Sequence, residues 1–315
     1  MSAMSLSYIF IGGTPRGLTV FKALLNAFGL PKRLVVLKED EHEINRWSET
    51  FIQLAETHGI PYRLRKRLKS EDEGWLQEPQ DVLCGVVCGW RSILNAKLGE
   101  FMKYGLIAAH DSLLPAYRGF SPINWAIINH EKETGVSLFK LDDGDVDSGM
   151  LFGQLVTPIG PDDYAQDVYQ RVTEDTVKLY MSFFEQALNG QVSFHEQDES
   201  LASYTCARRP EDGFIDWNKT DQEVYNLIRA LAPPYPGAST VFEGKRYTIH
   251  RARLGPNRQK NYIGRIPGRV VSIQKDGVEV LAGTGSVLLE GWALSPTDAP
   301  YSPAQDIKSI RTQLS

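Results

Sequence analysis

Residues 105–130 read GLIAAHDSLLPAYRGFSPINWAIINH, and residues 133–154 read ETGVSLFKLDDGDVDSGMLFGQ. In the first segment Gly105–Ala109 is an apolar run of the kind a strand buried on both faces requires. It delivers His110 to its carboxyl end, and the loop that follows contains Pro115 and Gly119. In open α/β sheets ligands collect at the carboxyl ends of strands, so a histidine there is better placed for chemistry than most. In the second segment a strand at Gly135–Leu141 runs into an acidic loop with Asp142, Asp143, Asp145 and Asp147. Four carboxylates this close invite a calcium-loop reading, but that pattern needs a glutamate at its twelfth position. Counted from Asp142 that position is Gly153. Two readings remain: a solvated turn, or a loop that sets one acid beside the histidine.

Outward from this stretch, strands alternate with helices. Ser7–Ile11 is a short apolar run broken by Gly12-Gly13-Thr14-Pro15. Thr14 can cap a helix, and Pro15 suits its first turn, where a missing N–H is harmless. Leu18, Phe21, Leu24, Leu25 and Phe28 follow at helical spacing. The pattern predicts strands at Arg33–Leu37 and Asp81–Val87, helices over about 42–58 and 96–103, and one long helix at Tyr164–Leu188. Alternation of this kind predicts an α/β fold, a mostly parallel sheet with helices on both faces. After Ser200 the texture changes. A helix is expected at Asp216–Leu231, then short runs at Arg246–Ala252, Gly268–Ile273, Val278–Leu281 and Ser286–Leu289. These suggest a small C-terminal β-barrel. The expected domains are residues 1–204 and 205–315.

The chain has 315 residues, enough for two average domains. Its net charge of −5 argues against a broad nucleic-acid footprint. From Cys206 to Ser315 the net is +4, and the remainder carries −9. No apolar run approaches the roughly 20 residues of a membrane span. Met1–Ser7 lacks the basic and apolar regions of a signal peptide. With three cysteines and no export signal, a reducing cytoplasm is the expected compartment. Cys84 and Cys88 fall on one buried strand and read as core thiols; with Cys206 remote, no metal site follows.

The motifs HDSLLPAYRG, ETGV and DVDSG, with Arg208-Arg209-Pro210-Glu211-Asp212-Gly213, Ile215-Asp216-Trp217 and Pro236-Gly237-Ala238, resemble the folate-dependent formyltransferases. The resemblance covers nearly the whole chain. It implies a Rossmann-like N-terminal domain and a small barrel-like C-terminal domain. It also implies 10-formyltetrahydrofolate as co-substrate, no metal, and a primary amine as acceptor. By motif match His110 and Asp147 are the catalytic pair, with Asp145 as the alternative acid. The folate pocket maps to Trp90, Arg91, Ser92 and Ile93, and to Leu141, Asp142 and Gly144. Gly13, Thr14 and Arg16, at a helix N-terminus, would approach the acceptor's phosphates. One departure stands out: the asparagine that the family places two residues before the histidine is Ala108 here.

For the acceptor, the tRNA-specific enzymes carry a basic insertion after the second strand. Here that place reads Lys38-Glu39-Asp40-Glu41-His42-Glu43. An acidic loop would repel phosphates. Trp90-Arg91 and Pro122-Ile123-Asn124-Trp125-Ala126 look closer to the sugar-formylating branch. The expected acceptor is therefore a nucleotide-linked amino sugar, with tRNA disfavoured, no membrane and a possible homodimer. Methionyl-tRNA formyltransferase, or a folate-binding paralogue that lost catalysis with the asparagine, are the alternatives.

Overall fold

The computed structural model describes residues 6–40 and 46–315. The chain divides into two units, neither of them one continuous stretch. The first comprises Met1–Arg118, Gly135–Thr157 and Arg171–Tyr204; the second comprises Gly119–Thr134, Pro158–Gln170 and Thr205–Ser315.

The first unit is built on β1 (Tyr8–Gly12), β2 (Arg33–Leu37), β3 (Tyr62–Arg65), β4 (Cys84–Cys88) and β5 (Leu106–His110). The short β6 (Arg118–Gly119) follows, then β7 (Glu133–Lys140), β8 (Leu151–Pro158) and the short β9 (Tyr204–Thr205). Its sheet runs β3-β2-β1-β4-β5-β7-β8. The first five strands are parallel, and β7 is antiparallel to β5. Helices α1 (Thr14–Phe28), α2 (Trp47–His58), α3 (Ser70–Gln77) and α5 (Ala165–Leu188) connect or close it.

Alternation along β1 shows why both faces are covered. Tyr8 and Phe10 point one way, where Phe10 meets Phe21 of α1 and Phe51 of α2, and Tyr8 meets Phe184 of α5. Ile9 and Ile11 point the other way, into a cluster with Leu76 of α3, Leu98, Met102 and Ala108. Tyr180 of α5 donates its hydroxyl to the carbonyls of Val87 and Ile107, at 2.8 and 3.1 Å. Cys84 and Cys88 lie wholly in this core, and burial pushes the Cys88 thiol up to about 12.

Two local expectations change. The helix anticipated over 96–103 is a single 3-10 turn, Ala96–Gly99. Gly99 lies so close to Leu106 that a Cβ there would stand 2.8 Å from its backbone nitrogen, and the chain turns away instead of winding on. The helix expected from about 42 is described from Trp47; residues 41–45 lie outside the described residues.

The second unit contains α4 (Pro122–Ile128), α6 (Asp221–Leu231) and a five-stranded antiparallel sheet. Its strands are β10 (Ala238–Phe242), β11 (Lys245–Leu254), β12 (Val270–Ile273), β13 (Val278–Leu281) and β14 (Ser286–Ala293), ordered β10-β11-β14-β13-β12. Helix α6 starts at Asp221, later than the sequence pattern suggested. A reciprocal cap fixes the start: Thr220 Oγ1 accepts from the Glu223 N–H, and Glu223 accepts from the Thr220 N–H. Tyr247 stacks on Trp292 at 4.0 Å between ring centres, inside a core with Tyr225, Ile228 and Val280. Arg229 of α6 is buried and donates to the carbonyls of Gly160 and Asp163.

Candidate active site

Strand β5 ends on His110, which is 8% exposed. Its Nε2 stands 2.8 Å from the Tyr117 carbonyl oxygen. A carbonyl only accepts, so this nitrogen carries a proton and donates. The other ring nitrogen, Nδ1, faces Asp147 Oδ2 at 3.4 Å. One imidazole is thus held between a backbone acceptor and a carboxylate, which together fix the orientation of the ring.

The four acids of the loop have four different environments. Asp142 accepts from the Gly144 N–H and the Ser148 hydroxyl, closing a local turn. Asp143 accepts from the Ala96 N–H at 3.1 Å. Asp145 accepts from the Tyr204 hydroxyl at 2.7 Å and the Val146 N–H, which together hold its carboxyl below the usual range. Asp147 is the acid that faces His110. Its backbone is left-handed, with φ of 54°. For a residue other than glycine that costs roughly 1–3 kcal/mol and persists only where the surroundings enforce it. Among the described residues no group of three or more His, Cys, Asp or Glu side chains could hold a metal ion.

Side chains that the sequence reading did not single out surround this pair. Arg118, Gln197, Glu199 and Tyr204 form one hydrogen-bonded group. Glu199 donates no proton but accepts from Arg118 at 2.6 and 2.8 Å, and this holds Arg118 above its ordinary range. Arg118 was within sight, in the Tyr-Arg-Gly that ends the histidine motif. Gln197 carries no such signal: an uncharged polar residue in an irregular stretch looks like solvated loop.

The residues assigned to a folate pocket separate into two sets. Arg91, Ser92 and Ile93 line a cavity of 480 Å³ with Leu37, Lys38, Asp40, Lys66 and Arg67. Trp90 and Leu141 instead pack, partly buried, against the cluster that contains Ala108 and Phe139. Ala108 itself is 6% exposed, opposite Phe139 in the ladder, so its side chain offers only an apolar surface. Asn124 is committed elsewhere, donating to the Ala230 carbonyl at 2.6 Å. In the glycine turn the Gly13 N–H donates to the Cys88 carbonyl, Thr14 is partly exposed, and Arg16 is buried in an ion pair with Asp111. Of the acidic stretch after β2, Glu39 is turned inward to accept from the Ser48 N–H and hydroxyl, and Asp40 pairs with Lys66. Glu41, His42 and Glu43 lie outside the described residues. Of the two described acids, then, Asp40 is balanced by a cation and Glu39 is turned away from solvent.

The formyl transferase family model matches residues 41–184, and that of the formyl transferase C-terminal domain matches residues 208–297. Methionyl-tRNA formyltransferase of Citrifermentans bemidjiense is 34% identical over 75% of this chain and 72% of its own. Among solved structures, the sugar 3N-formyl transferase WlaRD, crystallised with dTDP and 5-N-formyl-THF, superposes with a TM-score of 0.68 at 17% identity, over 91% of this chain and 97% of that one. The N-formyltransferase of Helicobacter canadensis, in complex with folinic acid and dTDP-3-aminofucose, gives 0.67 at 18% identity, over 90% and 99%. With both of its family models matched and a relative at this identity, the chain is an enzyme of the formyl transferase family.

Proposed function

We propose that this enzyme moves a formyl group from 10-formyltetrahydrofolate to a primary amine on a nucleotide-linked amino sugar. The observation that carries the reading is His110 at a strand end with its Nδ1 facing Asp147 at 3.4 Å. The folate co-substrate supplies an activated formyl carbon. His110 supplies N–H groups that can stabilise the negative charge developing on a carbonyl oxygen under attack. Asp147 orients the ring from the Nδ1 side. The Tyr117 carbonyl holds Nε2 at rest, so one N–H must leave that carbonyl to reach a substrate oxygen. Arg91, Ser92 and Ile93, with the cationic side chains of the adjoining cavity, suit the anionic end of a folate. Leu141, Asp142 and Gly144 would contact its ring system, and Trp90 would serve as apolar wall. Gly13, Thr14 and Arg16 remain on the acceptor side, with Thr14 the accessible member. The working division is a formyl-transfer domain over 1–204 and a C-terminal domain over 205–315.

The sugar reading is supported by two sugar-formylating structures that this chain matches over 97% and 99% of their own length. A second reading, a tRNA-linked methionine as acceptor, rests on the 34% identity to methionyl-tRNA formyltransferase. Incubation with 10-formyltetrahydrofolate and either a panel of nucleotide-linked amino sugars or methionyl-tRNA, followed by mass spectrometry, separates the two. An added formyl mass on a sugar amine supports the first reading. Formylation of methionyl-tRNA alone overturns it. No product from any amine, with folate bound, would favour a paralogue impaired at Ala108, and Ala108→Asn should then restore turnover.

A further inference from the structure

Asp147 faces His110 from a left-handed backbone, and something must keep it there. The Gln197 amide nitrogen donates to the Asp147 carbonyl at 2.8 Å and to the Gly149 carbonyl at 2.7 Å. Both of its hydrogens are therefore spent on the backbone of the acidic loop. The Gln197 amide oxygen in turn accepts from Arg118 Nε at 3.2 Å and from an Arg118 terminal nitrogen at 2.7 Å. Arg118 is wholly buried, and Glu199 holds its guanidinium from the other side. Tyr204 completes the group by accepting from Arg118 and donating to Asp145. Arg118 is also the residue next to Tyr117, whose carbonyl receives His110 Nε2.

We infer that Gln197 is a positioning residue for formyl transfer, a strut anchored on Arg118 that fixes the Asp147 backbone opposite His110. The inference rests on the His110–Asp147 reading above and adds what holds that pair in register. The amide can serve only one way round. Its oxygen must meet the guanidinium and its nitrogen the two carbonyls, because a flipped amide would set an N–H against Arg118 and an oxygen against two acceptors. The second, parallel effect of Tyr204 is to commit Asp145, which leaves Asp147 as the loop acid opposite the ring.

The isosteric Gln197→Glu change tests the strut from one side. A carboxylate keeps the Arg118 contact and opposes its second oxygen to the Asp147 and Gly149 carbonyls. The expected result is a kcat lower by about 100-fold, since misplacement by roughly an ångström has that effect. KM for both substrates should stay within about twofold, the mark of an interaction made in the transition state. The variant should still fold, and the His110 ring resonances in NMR should move as they do in Asp147→Asn. A kcat within about threefold of the parent, or unmoved His110 resonances, would overturn the strut. Should Gln197→Glu not fold, Gln197→Met, which matches its length without a charge, takes the same measurements. If the parent enzyme formylates no acceptor at all, the transfer reading fails, and the His110 resonances still decide whether Gln197 sets Asp147.

Discussion

The turn after β1 and the loop after β5 leave carboxyl ends of parallel strands in one sheet, yet they are built in opposite ways. After β1 the chain is fixed by backbone contact. A Cβ on Gly12 would overlap the Cys88 carbonyl oxygen, one on Gly13 would stand 2.5 Å from Leu37 Cβ, and the Gly13 N–H is spent on Cys88. After β5 the chain is fixed by side chains: the Ser137 hydroxyl donates to the Ser112 carbonyl and accepts from the Leu114 N–H, Gln154 donates to the Leu114 carbonyl, Ser203 accepts from the Tyr117 N–H, and the imidazole is left facing an acid. The first arrangement gives close packing with little polar chemistry on offer. The second places titratable groups without burying them beyond reach. An address at a strand end is thus shared by many loops, and the polar groups committed to supporting a side chain distinguish a working one.

This contrast can be broken at its largest difference first. His110→Ala should lower turnover by roughly 10³-fold while the protein still folds, since general acid–base and charge-stabilising groups contribute 10²–10⁴. A variant with parental turnover would remove the histidine from the chemistry. Next, Asp147→Asn should slow turnover by about 100-fold, and Asp145→Asn by less than about tenfold. Steady-state kinetics that reversed the order would assign the acid to the residue that Tyr204 holds.

The glycine turn should respond in stability. Gly12→Ala forces a methyl against backbone and should destabilise by about 2–3 kcal/mol in urea unfolding. Gly74, in α3 with open space around its Cα, is the control: Gly74→Ala should stabilise by roughly 0.5–1 kcal/mol. A tolerant Gly12 would mean that the turn can open.

The smallest effect is the response to acid. Arg118 holds the Glu199 carboxyl below its usual range by hydrogen bonding. A depressed carboxyl contributes stability in full above the unfolded value, about 4.3 for glutamate, and loses it as pH falls through the lower folded value. The stability gap between the parent and Glu199→Gln should therefore be present at neutral pH and close in acid. The Gly12→Ala gap should not change with pH. A Glu199→Gln gap that is flat with pH would show that the loop network carries no linked proton.

Much of this was legible in the chain. The alternation of apolar runs gave the parallel sheet, because strands covered on both faces leave continuous apolar segments such as CGVVC in β4. His110 and the acidic loop were legible because their motif is local. Strand β3, Tyr62–Arg65, was not, since its Arg63 and Arg65 carry ion pairs to Asp72 and it has no apolar run to show. Gln197 was not, since its partners at Arg118 and Asp147 lie 79 and 50 residues away and no spacing rule links them. The glycines after β1 read equally as a phosphate turn or a packing device, and only neighbouring backbone, absent from a one-dimensional pattern, distinguishes contacts of this kind.

The discontinuity of the second unit has a consequence for how the chain is made. Asn124 in α4 donates to the Ala230 carbonyl, 106 residues further on. At roughly 5–20 residues per second, the earlier helix emerges from the ribosome about 5–20 s before its partner exists. Throughout that interval a polar amide and the apolar side of a short helix await synthesis of the chain that will cover them. Slow codons between these two points would lengthen the wait, and with it the time open to nascent-chain chaperones.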